Sequence, residues 1–163
     1  MSNVIKVGIA DLNVAKAPDT LVTYALGSCV GICLYDPLTH ISGLSHIMLP
    51  VSESSGGGPL SQAYRFADTA IPLLVKKMEQ LGANRFRMKA KIAGGAKMFA
   101  ATGNTSISNI GLRNVVAVKA ALSQLKIQII AEDTGKDFGR TVFFRTEDGV
   151  MIVKSATKGE WAM

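Results

Sequence analysis

Leu26-Gly27-Ser28-Cys29-Val30-Gly31-Ile32-Cys33-Leu34-Tyr35-Asp36-Pro37-Leu38-Thr39-His40-Ile41-Ser42-Gly43-Leu44-Ser45-His46-Ile47-Met48-Leu49 is the stretch on which the fold turns. Two apolar runs, Val30 to Tyr35 and Ile41 to Leu49, flank the turn residues Asp36-Pro37-Leu38-Thr39, and that spacing predicts a β-hairpin. Upstream, Val4 to Ile9 and Leu21 to Leu26 read as strands. Between them Ala17-Pro18-Asp19 is a turn, since proline disfavours helix for the residue before it. Downstream the period changes: Phe66, Ala70, Leu73, Leu74, Met78 and Leu81 recur at three and four residues. This predicts a helix from Leu60 to Leu81, stopped by Gly82 and kinked or broken near Ile71 by Pro72. Phe86 to Ala93 reads as a strand running into Gly94-Gly95-Ala96. A second helix is expected from Ser108 or Asn109, burying Leu112, Val115, Val116, Leu122 and Leu125. Ile127 to Ala131, Thr141 to Arg145 and Val150 to Val153 read as three closing strands. Runs of strands with two main helices between them predict an α+β chain, a layered α/β sandwich of mixed strands in one domain over residues 1–163.

Composition narrows the function classes. The chain has 163 residues, 48% hydrophobic and 18% charged, which excludes disorder for most of its length. No apolar run approaches the ~20 residues of a membrane span. Met1 to Ala10 alternates apolar and polar residues, unlike a signal peptide. The only cysteines are Cys29 and Cys33, too few for a disulfide scaffold, so a reducing cytoplasm is the expected compartment. Net charge is +6, placed unevenly: residues 1–81 carry five basic and six acidic side chains, residues 82–163 thirteen and six. Aromatics are only 6%, and Arg85, Arg87, Lys89 and Lys91 alternate as on the solvated face of a strand. The basic half therefore points to an acidic protein partner rather than to nucleic acid.

Chemistry concentrates on the quoted stretch. Cys29, Cys33, His40 and His46 number enough for a zinc site, but all four would lie on one hairpin at spacings unlike a zinc finger's. Gly94-Gly95-Ala96-Lys97 lacks the spacing of a phosphate loop and reads as a tight turn that lets backbone approach closely. Cys33, between Ile32 and Leu34, reads as a small buried hydrophobe. Cys29 has that reading and a second one. It follows a bend at Gly27-Ser28 whose amides can face an oxyanion, and the hairpin brings His46 to the opposite arm, where it can act as base to a thiol nucleophile. Thr23 can orient the imidazole through its hydroxyl or carbonyl, or be an ordinary strand residue. The Ser- and Gly-rich run Ser52 to Pro59 reads as a mobile loop bordering such a site.

Leu26-Gly27-Ser28-Cys29-Val30 followed by Gly43-Leu44-Ser45-His46-Ile47-Met48-Leu49-Pro50 resembles the signature of the CheD family, chemoreceptor glutamine deamidases of bacterial chemotaxis. Tyr64 to Asp68, Lys91 to Phe99, Ile110 to Asn114, Asp133-Thr134-Gly135 and Gly139-Arg140 continue the likeness in order along the chain. The resemblance implies hydrolysis of particular glutamine side chains on methyl-accepting chemotaxis receptors to glutamate, with Cys29, His46 and Thr23 as the catalytic set. It implies a fold like the catalytic domain of cytotoxic necrotizing factor toxins, and no metal or other cofactor. It also implies work in the cytoplasm at receptor arrays without insertion into the membrane, and CheC phosphatase as a partner where one exists. The chain departs from the family pattern at Ala25 and Lys136, both positions where glycine is common. The alternative of another class is a non-enzymatic adaptor that binds receptors or CheC, whose binding would survive loss of Cys29.

Overall fold

A computed structural model of the chain describes residues 2–52, 60–98 and 109–163. It begins with β1 (Val4–Lys6), β2 (Asp11–Lys16) and β3 (Thr20–Leu26), then the expected hairpin of β4 (Val30–Asp36) and β5 (Ile41–Ile47). A short 3-10 helix, Leu60–Arg65, leads into α1 (Ala67–Gln80), and a second, Arg85–Arg87, precedes β6 (Lys89–Gly94). Then come α2 (Ile110–Gln124), β7 (Gln128–Thr134), β8 (Arg140–Arg145), β9 (Met151–Ser155) and β10 (Gly159–Ala162). The strands form two mixed five-stranded sheets, ordered β1-β3-β8-β9-β10 and β2-β5-β4-β6-β7. The mixed α/β layering expected from the sequence is present.

Why the layers stack follows from β4, whose residues are buried on both faces almost throughout. Val30, Ile32 and Leu34 point to one side and pack with Ile71, Leu74 and Leu122 of the two helices. Cys33 points to the other side and packs with Leu44, Leu21, Val142 and Phe144 between the sheets. A strand sandwiched in this way reads as a continuous apolar run rather than an alternating one. Gly43 lets α1 come close to β5, since a Cβ there would lie 2.6 Å from Leu74 Cδ1. At the hairpin turn, buried Asp36 receives two 2.9 Å bonds from the Arg87 guanidinium and one from the Asn84 amide. Burial opposes ionisation there, yet these donors hold the carboxyl well below the usual carboxylate range.

Several sequence expectations need correction. Residues 4–9 do not form one strand: β1 stops at Lys6, and β2 follows at Asp11. Helix α1 is continuous through Pro72, which lies on the exposed side, while Ala67, Ala70, Ile71, Leu74, Val75 and Met78 keep the inner face seated. Only one amide bond is forfeited there. Arg85 and Arg87 belong to a 3-10 turn, so only Lys89 and Lys91 of the alternating basic set lie on the strand. In α2 the inward face carries Gly111, Asn114, Val115, Val118, Ala121 and Leu122, leaving Leu112 and Val116 exposed. The loop expected over Ser52 to Pro59 and the alternative helix start at Ser108 fall mostly or wholly outside the described residues; Asn109 is the residue that precedes α2.

Candidate active site

The site is built where the two sheets face each other. In the hairpin register Gly31 pairs with His46 and Val30 with Ile47, so Cys29 stands just beyond the ladder, diagonal to His46 and on the same face. Diagonal neighbours across antiparallel strands are separated by roughly 7 Å between Cα atoms, a gap that an imidazole reaches into. Gly31 keeps that gap open: a Cβ there would press to 3.1 Å from Leu26 and 3.6 Å from Thr23 of the facing sheet.

Thr23 enters from β3. Its hydroxyl lies 2.7 Å from His46 Nδ1 and donates its one hydrogen to the Val7 carbonyl, also at 2.7 Å. Toward the imidazole the threonine oxygen therefore offers only a lone pair, so hydrogen-bond accounting puts the ring proton on Nδ1 and leaves Nε2 bare. His46 is wholly buried, and Nε2 has no partner among the described residues. Thr23 shares the inward face of β3 with Leu21 by ordinary strand alternation, and a bulge follows between Thr23 and Leu26, with Ala25 at φ 61°. The bulge shifts the phase of the strand, so Leu26 joins Leu21 and Thr23 in the interior.

The Gly27–Cys29 bend is fixed from behind. The Gly27 carbonyl accepts from the Ala96 amide at 2.8 Å, the Ser28 carbonyl from the Asn114 side chain at 2.9 Å, and the Cys29 carbonyl from the Gly95 amide at 2.8 Å. The tight turn read from the sequence at Gly94-Gly95-Ala96 is thus the support of the cysteine bend. Gly94 and Gly95 take φ +112° and +68°, and a Cβ on Gly94 would collide with the Cys29 carbonyl. The Gly27 amide is occupied by the Ala25 carbonyl at 3.1 Å. Among the described residues, the Ser28 and Cys29 amides donate to no backbone carbonyl. A depression of about 420 Å³ is lined by Ala25, Met98, Phe138, Arg140 and Lys154, and Cys29 is not among its lining residues.

Burial pushes the His46 imidazole down to about 4. Burial pushes the half-buried Cys29 thiol up, its own backbone N–H only partly opposing. The resting pair at neutral pH is therefore thiol and neutral imidazole, rather than thiolate and imidazolium. Cys33 is fully buried and its thiol is raised further, by burial against a smaller opposing pull from Lys91. The structure thus brings together Thr23 and His46 directly and sets Cys29 on their face, with Gly27 and Ser28 forming the bend. His40 lies in the hairpin turn, bonded to the Tyr35 hydroxyl at 2.9 Å and apart from this set. Among the described residues no three His, Cys, Asp or Glu side chains gather as a metal-binding group. Sequence reading missed Asn114, whose signal was faint: one polar residue on the inward face of an apolar helix.

The residues 48–155 match the family model described as CheD chemotactic sensory transduction. The chain is 49% identical over 158 residues to a probable chemoreceptor glutamine deamidase CheD of Caldanaerobacter subterraneus, covering 97% of this chain and 96% of that one. It is 50% identical over 155 residues to the protein of the same description from Clostridium botulinum, covering 95% and 94%. For the one from Syntrophomonas wolfei the figures are 47% over 160 residues, covering 98% of each.

Proposed function

Because this chain belongs to the CheD family, we propose that it is a chemoreceptor glutamine deamidase and that it works through Cys29, with His46 as the base and Thr23 as the group that orients it. The observation that carries the chemistry is the Val7–Thr23–His46 chain of two 2.7 Å hydrogen bonds, which presents a bare imidazole nitrogen on the face Cys29 occupies.

The steps follow from the resting protonation states. As the Cys29 sulfur attacks the side-chain amide carbon of a receptor glutamine, the thiol proton passes to His46 Nε2. The amide oxygen takes up negative charge, and the Ser28 and Cys29 amides at the pinned bend are the donors positioned for it. The imidazolium returns its proton to the departing nitrogen, ammonia leaves, and a thioester links Cys29 to the substrate. Water then attacks the thioester carbon, giving its proton to the same nitrogen. The carbon–sulfur bond breaks, the sulfur recovers a proton, and glutamate is released. A neutral imidazole suits both attacks, because it is free to accept at neutral pH.

The partly exposed position of Cys29 fits a glutamine carried on a protein surface. The place of action is proposed to be the cytoplasmic part of receptor arrays; among the described residues no helix is long and apolar enough to cross a membrane. CheC, implied by the family likeness, is proposed as a second partner.

Ammonia release from purified receptor cytoplasmic fragments tests the reading. Release by the wild-type protein, with a fall of at least about a thousandfold in Cys29→Ala and His46→Ala, is the expected result. Equal release from Cys29→Ala would remove the thiol mechanism. Receptor binding by a wild-type protein that releases no ammonia would favour the adaptor reading.

A further inference from the structure

We propose that Asn114 is a positioning residue of this site: its side-chain amide ties the nucleophile's bend to the end of the histidine strand and so fixes Cys29 against His46. The proposal rests on the Cys29–His46 reading and adds a residue to it.

Asn114 lies in the second turn of α2 and is wholly buried. Its Nδ2 donates to the Ser28 carbonyl at 2.9 Å and to the Met48 carbonyl at 3.0 Å. Both partners are acceptors, so the nitrogen rather than the oxygen of the amide must face them, and its two hydrogens are used one each. Ser28 is the residue before Cys29. Met48 is two residues beyond His46 and just past the end of β5. The ladder between β4 and β5 begins at Val30 with Ile47, so it leaves these two segments beyond its last pair. One amide bridges them there.

The helix carrying Asn114 is itself held to the site. Gly111 packs so closely on the Gly94–Ala96 turn that a Cβ there would lie 2.6 Å from the Gly95 carbonyl oxygen. That turn in turn binds the carbonyls on either side of Ser28. Among the described residues, Asn114 therefore supplies the one donor on the bend that comes from a side chain, and the one that also reaches the histidine arm. Its Oδ1 is buried with no partner among the described residues. A helix face gains nothing in stability from a buried acceptor left unpaired. An apolar residue would pack there without that penalty, but it would leave the two arms untied.

Two variants and two readouts test this. Asn114→Ala removes both donors. Asn114→Asp keeps the shape, has no donor when ionised, and regains one when protonated. With receptor fragments as substrate, kcat is expected to fall about a hundredfold in each folded variant with KM within about a factor of two, as for a small misplacement of reacting groups. The second readout needs no receptor: the rate at which iodoacetamide alkylates Cys29, followed by peptide mass at neutral pH. It is expected to fall about tenfold in Asn114→Ala and to be no slower in the Asn114→Ala/His46→Ala double variant than in His46→Ala alone, because both changes break the same pair. In Asn114→Asp the deficit should shrink as pH is lowered. Should wild-type protein release no ammonia, the deamidase reading falls while alkylation still decides the positioning claim. Unchanged alkylation in either variant whose circular dichroism matches wild type, or losses that simply add to those of His46→Ala, would overturn it.

Discussion

His46 has its ring proton on Nδ1 and a bare Nε2, and burial holds its pKa to about 4. An ordinary histidine titrates near 6.5. The acid limb of kcat/KM is therefore expected near pH 4 to 5 rather than near 6.5, with a flat profile through neutrality; a half-point near 6.5 would show an ordinary exposed base. The same shift acts on stability. Between pH 6.5 and about 4 the unfolded chain binds this proton and the folded chain does not, so folding weakens as pH falls through that window. The loss amounts to about 3 kcal/mol for a shift of this size. Urea midpoints measured from pH 7 to pH 4 should fall less steeply in His46→Gln than in wild type. The two cysteines divide at this scale as well. Cys29 is the accessible one and Cys33 packs between the sheets, so Cys33→Ala is expected to keep activity within a few-fold and to cost about 1 kcal/mol of stability. Part of this was legible in sequence: the hairpin that sets Cys29 before one arm and His46 on the other is the one its two apolar runs predict. The tautomer was not, because it depends on the Val7 carbonyl, a backbone atom with no sequence signal.

Elements explain two oddities of the sequence. Ala25 and Lys136 stand where the family resemblance puts glycine, and both adopt left-handed backbone, at φ 61° each. For a residue with a Cβ that conformation costs ~1–2 kcal/mol, while glycine adopts it freely and gives back part of the gain in entropy. Ala25→Gly and Lys136→Gly are each expected to raise stability by up to about 1 kcal/mol, read as a shift in melting temperature; a clear loss would mean that the side chain matters more than the backbone. Gly111→Ala should do the reverse. In a free helix it would stabilise by ~1 kcal/mol, but here the new methyl meets the Gly95 and Ala96 carbonyls, so the helix must shift and the cysteine bend with it. A lower melting temperature together with lost activity is the expected result. The hairpin was readable because its two arms are long, apolar and separated by a clear turn. Strand β2 was not, since Asp11-Leu12-Asn13-Val14-Ala15-Lys16 offers few large apolar side chains and is held mainly by its pairing with β5. The face of α2 was misjudged for a related reason. Its inward side carries Gly111 and Asn114, chosen by close approach and hydrogen bonding, so hydrophobic period alone selected the exposed Leu112 and Val116.

Over the whole molecule the basic excess of the second half lies partly beside the site. Exposed Lys97 follows the supporting glycine turn, its amide bonded to the Lys136 carbonyl at 2.8 Å, and exposed Arg113 adjoins Asn114. These charges are proposed to draw in an acidic protein surface. Association with receptor fragments should slow as salt is raised, since the screening length is only about 8 Å at physiological ionic strength. A salt-independent rate would remove charge from the account. The layered architecture underlies the proposed catalytic set, because Thr23 comes from one sheet and His46 from the other, and their hydrogen bond forms only when the sheets pack. The most direct measurement of that set is the intact mass of a receptor fragment after incubation with the protein. Each glutamine converted to glutamate by acyl transfer adds about one mass unit. The account predicts this gain with wild type and Cys33→Ala and none with Cys29→Ala; the same gain with Cys29→Ala would contradict it.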